Sequence, residues 1–303
     1  MSRYMPESQA NETAIRALST AWRGVLRRVD PVVVEVDAGV AVITLNRPEH
    51  LNAYTAEMGT LLSRGYRDCD EDDDVRAIVV TGAGRAFCAG ADFSGSAAPF
   101  DAPADDTTFS ASPIDPAAFE LRKPVIAALN GHAIGIGLTI ALQTDIRIVA
   151  EDAKYGVVQV RRGVIPDCMS HWTLAQLTNL GVAAEVLLTG RTFDGTEAVG
   201  LGIANKALPT GQVLEHAVEM ARDIATNVAP MSAALCKRLL WDSAINGYTP
   251  RQVASLETQL HHRVMGTDDA REGVAAFLDR RSPRFSSRLS AAWTPLPSPQ
   301  PES

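Results

Sequence analysis

The chain has 303 residues, 46% of them hydrophobic and 21% charged, enough to bury a large core and balanced as in globular domains. Its formal net charge of −8 argues against nucleic acid as the main partner, because phosphate binding needs a concentrated basic face. Four cysteines lack CxxC pairing or metal-ligand spacing, and no apolar run approaches the ~20 residues of a membrane span, so a reducing cytoplasm is the expected location, with no membrane partner and no metal.

Residues 1–30 are polar with a weak helical pattern and read as an N-terminal extension. PVVVEVDAGVAVITL (31–45) is two β-rich runs around Asp37-Ala38-Gly39, a hairpin signal. Tyr54, Met58, Leu61, Leu62 and Tyr66 fall on one face of a helix expected over 54–69. RAIVVTG (76–82), PVIAALNG (124–131) and DIRIVA (145–150) read as buried strands, and their alternation with helices indicates an α/β fold. The Ser, Ala, Pro and Asp content of 94–119 suggests a mobile loop or lid. The pattern is helical from about 212 to 279, with Thr249-Pro250 and Thr267-Asp268-Asp269 marking helix starts. The expected division is a core over 31–210, a helical region over 211–285 and a disordered tail over 286–303.

Two strands run into glycine-rich turns, TGAGRAFCAGADF (81–93) and NGHAIGIGLTIA (130–141). Glycine allows backbone conformations closed to other residues and close approach of a ligand. The second turn opens an apolar helical stretch, so the Ile136 amide falls where N–H groups lack an intrahelical acceptor. Such a turn can do chemistry through its backbone. A dinucleotide loop is the rival reading, but Gly82-x-Gly84-x5-Gly90 breaks the GxGxxG spacing, and no acidic residue follows at the required distance.

VAVITLNRPEHLNAYTAEM, GAGRAFCAGADF, KPVIAALNGHAIGIG and GTDDAREGVAAFLDRR, in that order across residues 32–285, resemble the crotonase family of enoyl-CoA hydratases and isomerases. The resemblance implies a spiral of ββα units, a C-terminal helical region that supports trimerisation, and a homotrimer or homohexamer. It implies an acyl-CoA substrate, with coenzyme A carried by the substrate and no separate cofactor. The amides of Ala91 and Ile136 match an oxyanion hole, which stabilises an enolate as charge develops on the thioester oxygen. Ala53 in the Asn52-Ala53 turn, Ala89, Asp92, Phe93 and Ser94 match CoA-binding segments. Phe277 and Arg280 match positions where a neighbouring subunit contacts CoA, and Arg47 has either a phosphate-binding or a surface role.

The sequence departs from the hydratase pattern at both usual glutamates, where Thr139 and Gln159 stand. Neither is a general base near neutral pH, although Thr139 can donate a hydrogen bond and Gln159 can orient a water. Asp167, in RRGVIPDCMSHW, matches the site loop of Δ3,Δ2-enoyl-CoA isomerases, with a glutamate there, and 3-hydroxyisobutyryl-CoA hydrolases, with an aspartate. One carboxylate suffices to move a double bond, whereas water addition is easier with two groups. Isomerisation is therefore the expected activity. A hydratase with atypical residues, a 3-hydroxyacyl-CoA hydrolase and a non-catalytic acyl-CoA-binding protein are the alternatives. His132 and His171 are reserve bases, and Cys88 and Cys168 read as small buried residues.

Overall fold

The computed structural model describes residues 30–94 and 109–297; the expected extension over 1–29 and the end of the tail lie outside these. β1 (Val32–Asp37) and β2 (Val40–Leu45) form the expected antiparallel hairpin. Ala38 and Gly39 between them are both left-handed, with φ of 48° and 82°, as the tightest hairpin turns require. β1 alternates between buried and partly exposed positions, as an edge strand does. By contrast, β3 (Ala77–Gly82) and β5 (Val125–Leu129) are buried along their whole length, and β7 (Ile146–Ala150) nearly so. Such continuous apolar runs suit a parallel sheet covered on both faces.

With β9 (Lys206–Leu208), the main sheet takes the order β1-β2-β3-β5-β7-β9, parallel from β2 onward. A second parallel sheet is built from β4 (Ala86–Cys88), β6 (His132–Ile134) and β8 (Tyr155–Gly156) in the order β4-β6-β8. Successive strands thus alternate between sheets. After β6 the chain enters α2 (Ile136–Ala141), and after β8 it enters α3 (Ser170–Leu177), α4 (Leu180–Thr189) and α5 (Gly195–Gly200). This is the expected spiral of ββα units.

α1 (Ala56–Glu71), between β2 and β3, packs against β1 and β2, while α6 (Thr210–Asn227) crosses β2, β3, β5, β7 and β9. The remaining helices are α7 (Pro230–Asn246), α8 (Pro250–Val264), α9 (Asp268–Asp279) and the short α10 (Leu289–Ala292). Thr249 and Thr267 cap α8 and α9 as read from the sequence, each accepting the backbone N–H three residues on.

Three expectations are corrected. The first helix starts at Ala56, because the Thr55 side chain caps it, so Tyr54 lies before the helix in an extended bridge to Ala91. Residues 109–119 are not a free lid in their later part: Ile114, Ala117, Ala118 and Phe119 are buried, and Phe119 stacks against Trp172 and Trp241 at 5.6 and 5.2 Å. Apolar side chains spaced among the prolines provide the anchors that composition alone conceals. The tail is also not free over 286–297. Leu289 is buried, the Ser290 amide donates to Asp73, and Arg263 donates to the carbonyls of Ala292 and Thr294.

One buried ion pair fixes the C-terminal helices to the spiral. Lys237 on α7 reaches Asp145 at 2.8 Å and donates to the carbonyls of Ala118 and Lys123, while the Trp241 indole donates to the other Asp145 oxygen at 2.7 Å. Trp241 also packs on Trp172 of α3 at 5.9 Å, tying α7 to the helix that follows the Asp167 loop. Among the described residues, no helix is long and apolar enough to cross a membrane.

Candidate active site

The two glycine-rich turns meet because their strands pair. β4 lies beside β6, and a Cβ at Gly137 would come within 2.3 Å of the Cys88 carbonyl oxygen, so only glycine permits this approach. Ala91 faces Tyr54 across a parallel bridge, in which the Tyr54 amide donates to the Gly90 carbonyl and the Asp92 amide donates to the Tyr54 carbonyl. In a parallel ladder this pairing turns the amide of Ala91 to the opposite side. No backbone acceptor for it occurs among the described residues. Gly135, with φ of 57°, turns the chain into α2 and leaves the Ile136 amide in the first helical turn, likewise without a backbone acceptor.

Asp167 sits in a loop closed by two consecutive left-handed residues, Cys168 and Met169, with φ of 49° and 58°. The Cys168 amide donates to the Ala111 carbonyl at 2.8 Å, and Gln143 Nε2 donates to the Cys168 carbonyl at 3.1 Å. Gln143 therefore supports the loop, and its neighbour Thr144 donates to the carbonyls of Ala141 and Ile146.

The structure gathers Thr139, Gln159 and Asp167. Thr139 Oγ1 donates to Asp167 Oδ1 at 2.5 Å, and Gln159 Nε2 donates to the same oxygen at 3.2 Å. Burial pushes the Asp167 carboxyl above the usual carboxylate range, opposed by these two hydrogen bonds. Gln159 Oε1 is buried and has no hydrogen-bond partner among the described residues. Tyr54, read from the sequence only as a helix-face residue, also belongs here: its hydroxyl is buried without a partner, and burial first, then Cys168 and Asp167, push its pKa up. The signal available in the sequence was Thr55, whose capping tendency ends the helix before Tyr54.

A second polar cluster lies on the other side of the Ala91 segment. Arg47 donates to the Ala53 carbonyl at 2.6 Å and pairs with Asp92 at 2.8 Å. Ser94 donates to Asp92 through both its amide and its hydroxyl; those bonds first, then Arg47, hold the Asp92 carboxyl far below its usual range. Asn52 is fully buried, accepting from the Arg47 amide and donating to the carbonyls of Ala83 and Ala86. The Ala89 amide donates to the Leu51 carbonyl. Ala53, Ala89, Asp92 and Ser94 are thereby held in one framework with Ala91, beside the exposed Phe93. Arg47 acts here as a brace rather than as a free phosphate ligand.

Phe277 and Arg280 are not part of this assembly within one chain. Both are exposed, Phe277 at 82%, near the end of α9, and no hydrogen bond or ion pair links them to the other expected residues. His132 is exposed and its Nδ1 accepts the Lys154 amide, while His171 is exposed on α3; neither is bonded to Asp167. Cys88 and Cys168 are buried, and burial pushes the Cys88 thiol up to about 11, away from thiolate chemistry. A cavity of about 300 Å³ elsewhere, beside Asp73, Arg76 and Arg284, contains none of these residues.

A two-sheet ββα spiral carrying a C-terminal helical layer defines the crotonase class of fold. The profile of the enoyl-CoA hydratase/isomerase family matches residues 35–288, and the chain belongs to that family. It is similar to a crystal structure of a probable enoyl-CoA hydratase/isomerase from Mycobacterium abscessus, with a TM-score of 0.82 and 54% identity over 85% of this chain and 99% of that one. A probable enoyl-CoA hydratase of Mycobacterium bovis is 34% identical over 86% of this chain and 99% of its own length. The 1,2-epoxyphenylacetyl-CoA isomerase of Escherichia coli is 34% identical over 85% and 98%. The chain is thus a family enzyme acting on acyl-CoA.

Proposed function

We propose that the enzyme isomerises the double bond of a 3-enoyl-CoA to the 2-enoyl isomer. The observation that carries this reading is the set at the two usual glutamate positions and their neighbour: one hydroxyl and one carboxamide, both donating to one carboxylate. Asp167 takes the proton from C2 of the substrate. The electron pair moves into an enolate whose oxygen is held by the amides of Ala91 and Ile136. Protonated Asp167 then returns the proton to C4, and the double bond moves to C2–C3. Both side-chain donors converge on Oδ1, so this reading assigns proton transfer to Oδ2. No cofactor enters the cycle, since coenzyme A arrives on the substrate.

In this reading Ala53, Ala89, Asp92, Phe93 and Ser94 form the near wall of the CoA site. The 1,2-epoxyphenylacetyl-CoA isomerase supports isomerase chemistry within reach of this sequence, while the hydratase names keep water addition as the competing reaction. Phe277 and Arg280 complete the CoA site of a neighbouring subunit in a homotrimer or homohexamer, which their exposure in the single chain supports. Incubation with 2-enoyl, 3-enoyl and 3-hydroxyacyl-CoA, followed by absorbance and mass spectrometry, tests the assignment. Conversion of the 3-enoyl thioester is expected; hydration alone would overturn it. Light scattering that gives a monomer at micromolar concentration would remove the cross-subunit part.

A further inference from the structure

Gln159 holds a buried polar atom that the isomerase cycle does not use. The side chain is only 9% exposed, and its carboxamide has two ends with different fates. Nε2 donates to Asp167 Oδ1, whereas Oε1 has no partner among the described residues. The orientation is set by charge. Rotating the amide would place Oε1 against the carboxylate, acceptor against acceptor, so an ionised Asp167 keeps Nε2 on its side. A buried carbonyl oxygen left without a donor is destabilising, which marks it as waiting for one.

Its position narrows the donor. The Gln159 carboxamide lies within 3.8–3.9 Å of where a Cβ on Gly135 would stand, immediately before the Ile136 amide. It therefore reaches from the turn assigned to the thioester oxygen to the carboxylate assigned to C2. The next atom of the acyl chain is C3. We propose that Gln159 is a specificity-determining residue whose Oε1 accepts a hydrogen bond from an O–H group at C3. That group is either the hydroxyl of a 3-hydroxyacyl thioester or the water that becomes it. In the water case the oxygen bonds to C3 of a 2-enoyl thioester while one of its protons passes to Asp167. The C2–C3 electron pair moves into the enolate, and Asp167 returns that proton to C2. The second water proton stays on oxygen, donated to Gln159. This inference rests on the reading of Ala91, Ile136 and Asp167 as an acyl thioester site.

The test compares two thioesters that differ only in the hydroxyl. Wild type is expected to bind 3-hydroxybutyryl-CoA about tenfold more tightly than butyryl-CoA, the gain available from one hydrogen bond in a desolvated site. Gln159→Met should bring the ratio to about one, and Gln159→Glu, which keeps an acceptor, should retain it. If Gln159 merely supported Asp167, both affinities would move together and the ratio would stay. The second arm supplies crotonyl-CoA in oxygen-18 water. A wild-type ratio near one, with label entering C3 and with hydration falling further than isomerisation in Gln159→Met, identifies water as the donor. A ratio near one without labelling overturns the proposal, as does a preference that persists in Gln159→Met. If neither thioester binds at all, the acyl-CoA reading itself fails, an outcome separate from equal binding of both.

Discussion

Two polar clusters flank the Ala91 segment, and they differ in how completely they are bonded. Around Arg47, Asn52 and Asp92, the carboxamide of Asn52 is bonded at both its nitrogen and its oxygen, and Asp92 is bonded through both its oxygens. Around Asp167, burial opposes ionisation, and Gln159 Oε1 and the Tyr54 hydroxyl have no partner among the described residues. A satisfied network holds a backbone in place. An unsatisfied one stores the capacity to bond something that is not yet there. The contrast separates the brace of the site from its reactive part, although both are assembled from segments distant in sequence.

The sharpest break of this contrast comes from Asp167→Asn, which keeps the shape of the side chain and removes its basicity. Turnover of a 3-enoyl-CoA should fall by about 10²-fold or more if the carboxylate is the general base. Affinity for the thioester should change far less, because the CoA moiety is gripped elsewhere. Single-turnover kinetics beside a binding measurement would separate the two, and undiminished turnover would shift the base to another group.

How much of this was legible beforehand follows from range of interaction. The hairpin, the caps at Thr249 and Thr267 and the buried strands are local or periodic signals, and they appear where the sequence places them. The meeting of Thr139, Gln159 and Asp167 depended on the family resemblance, because nothing in the spacing of 139, 159 and 167 fixes a 2.5 Å contact between the first and the last. The bracing role of Arg47 was illegible because Asp92 lies 45 residues away. The packing of 109–119 was missed because Pro- and Ser-rich composition suggested mobility, while Ile114 and Phe119 were enough to anchor the segment.

The brace offers a smaller effect of a different kind. Arg47→Met keeps much of the aliphatic stem and removes the bonds to Ala53 and Asp92. Charge-assisted hydrogen bonds of this sort contribute about 1.5–3 kcal/mol each before relaxation, so a KM increase of roughly tenfold is expected, with kcat lowered less. Steady-state kinetics with a short-chain enoyl-CoA would check it. A loss confined to kcat would place Arg47 with the reactive cluster and erase the distinction between the two.

The finest test uses proton linkage at Asp167. Burial raises its pKa, and the hydroxyl of Thr139 lowers it. The base works only when ionised, so activity should rise with pH through the folded pKa, which lies above the usual carboxylate range. Thr139→Val removes a hydrogen bond to the ionised form and leaves the burial. The acid limb of the pH profile should therefore move to higher pH, with the greatest loss of rate at acid pH. Stability has the matching sign. Because the folded pKa is raised, the contribution of this group is fully present below the unfolded carboxylate pKa and is lost as pH rises through the folded value. At neutral pH wild type carries the cost of a buried carboxylate that Asp167→Asn does not. The Asn variant should then melt higher than wild type at pH 7, by about 2–4 °C for each kcal/mol recovered, and lose that advantage below the carboxylate range. A variant that melts lower at pH 7 and gains on acidification would mean that the ionised carboxylate stabilises the fold, and Asp167 would belong with Asp92 among the braces.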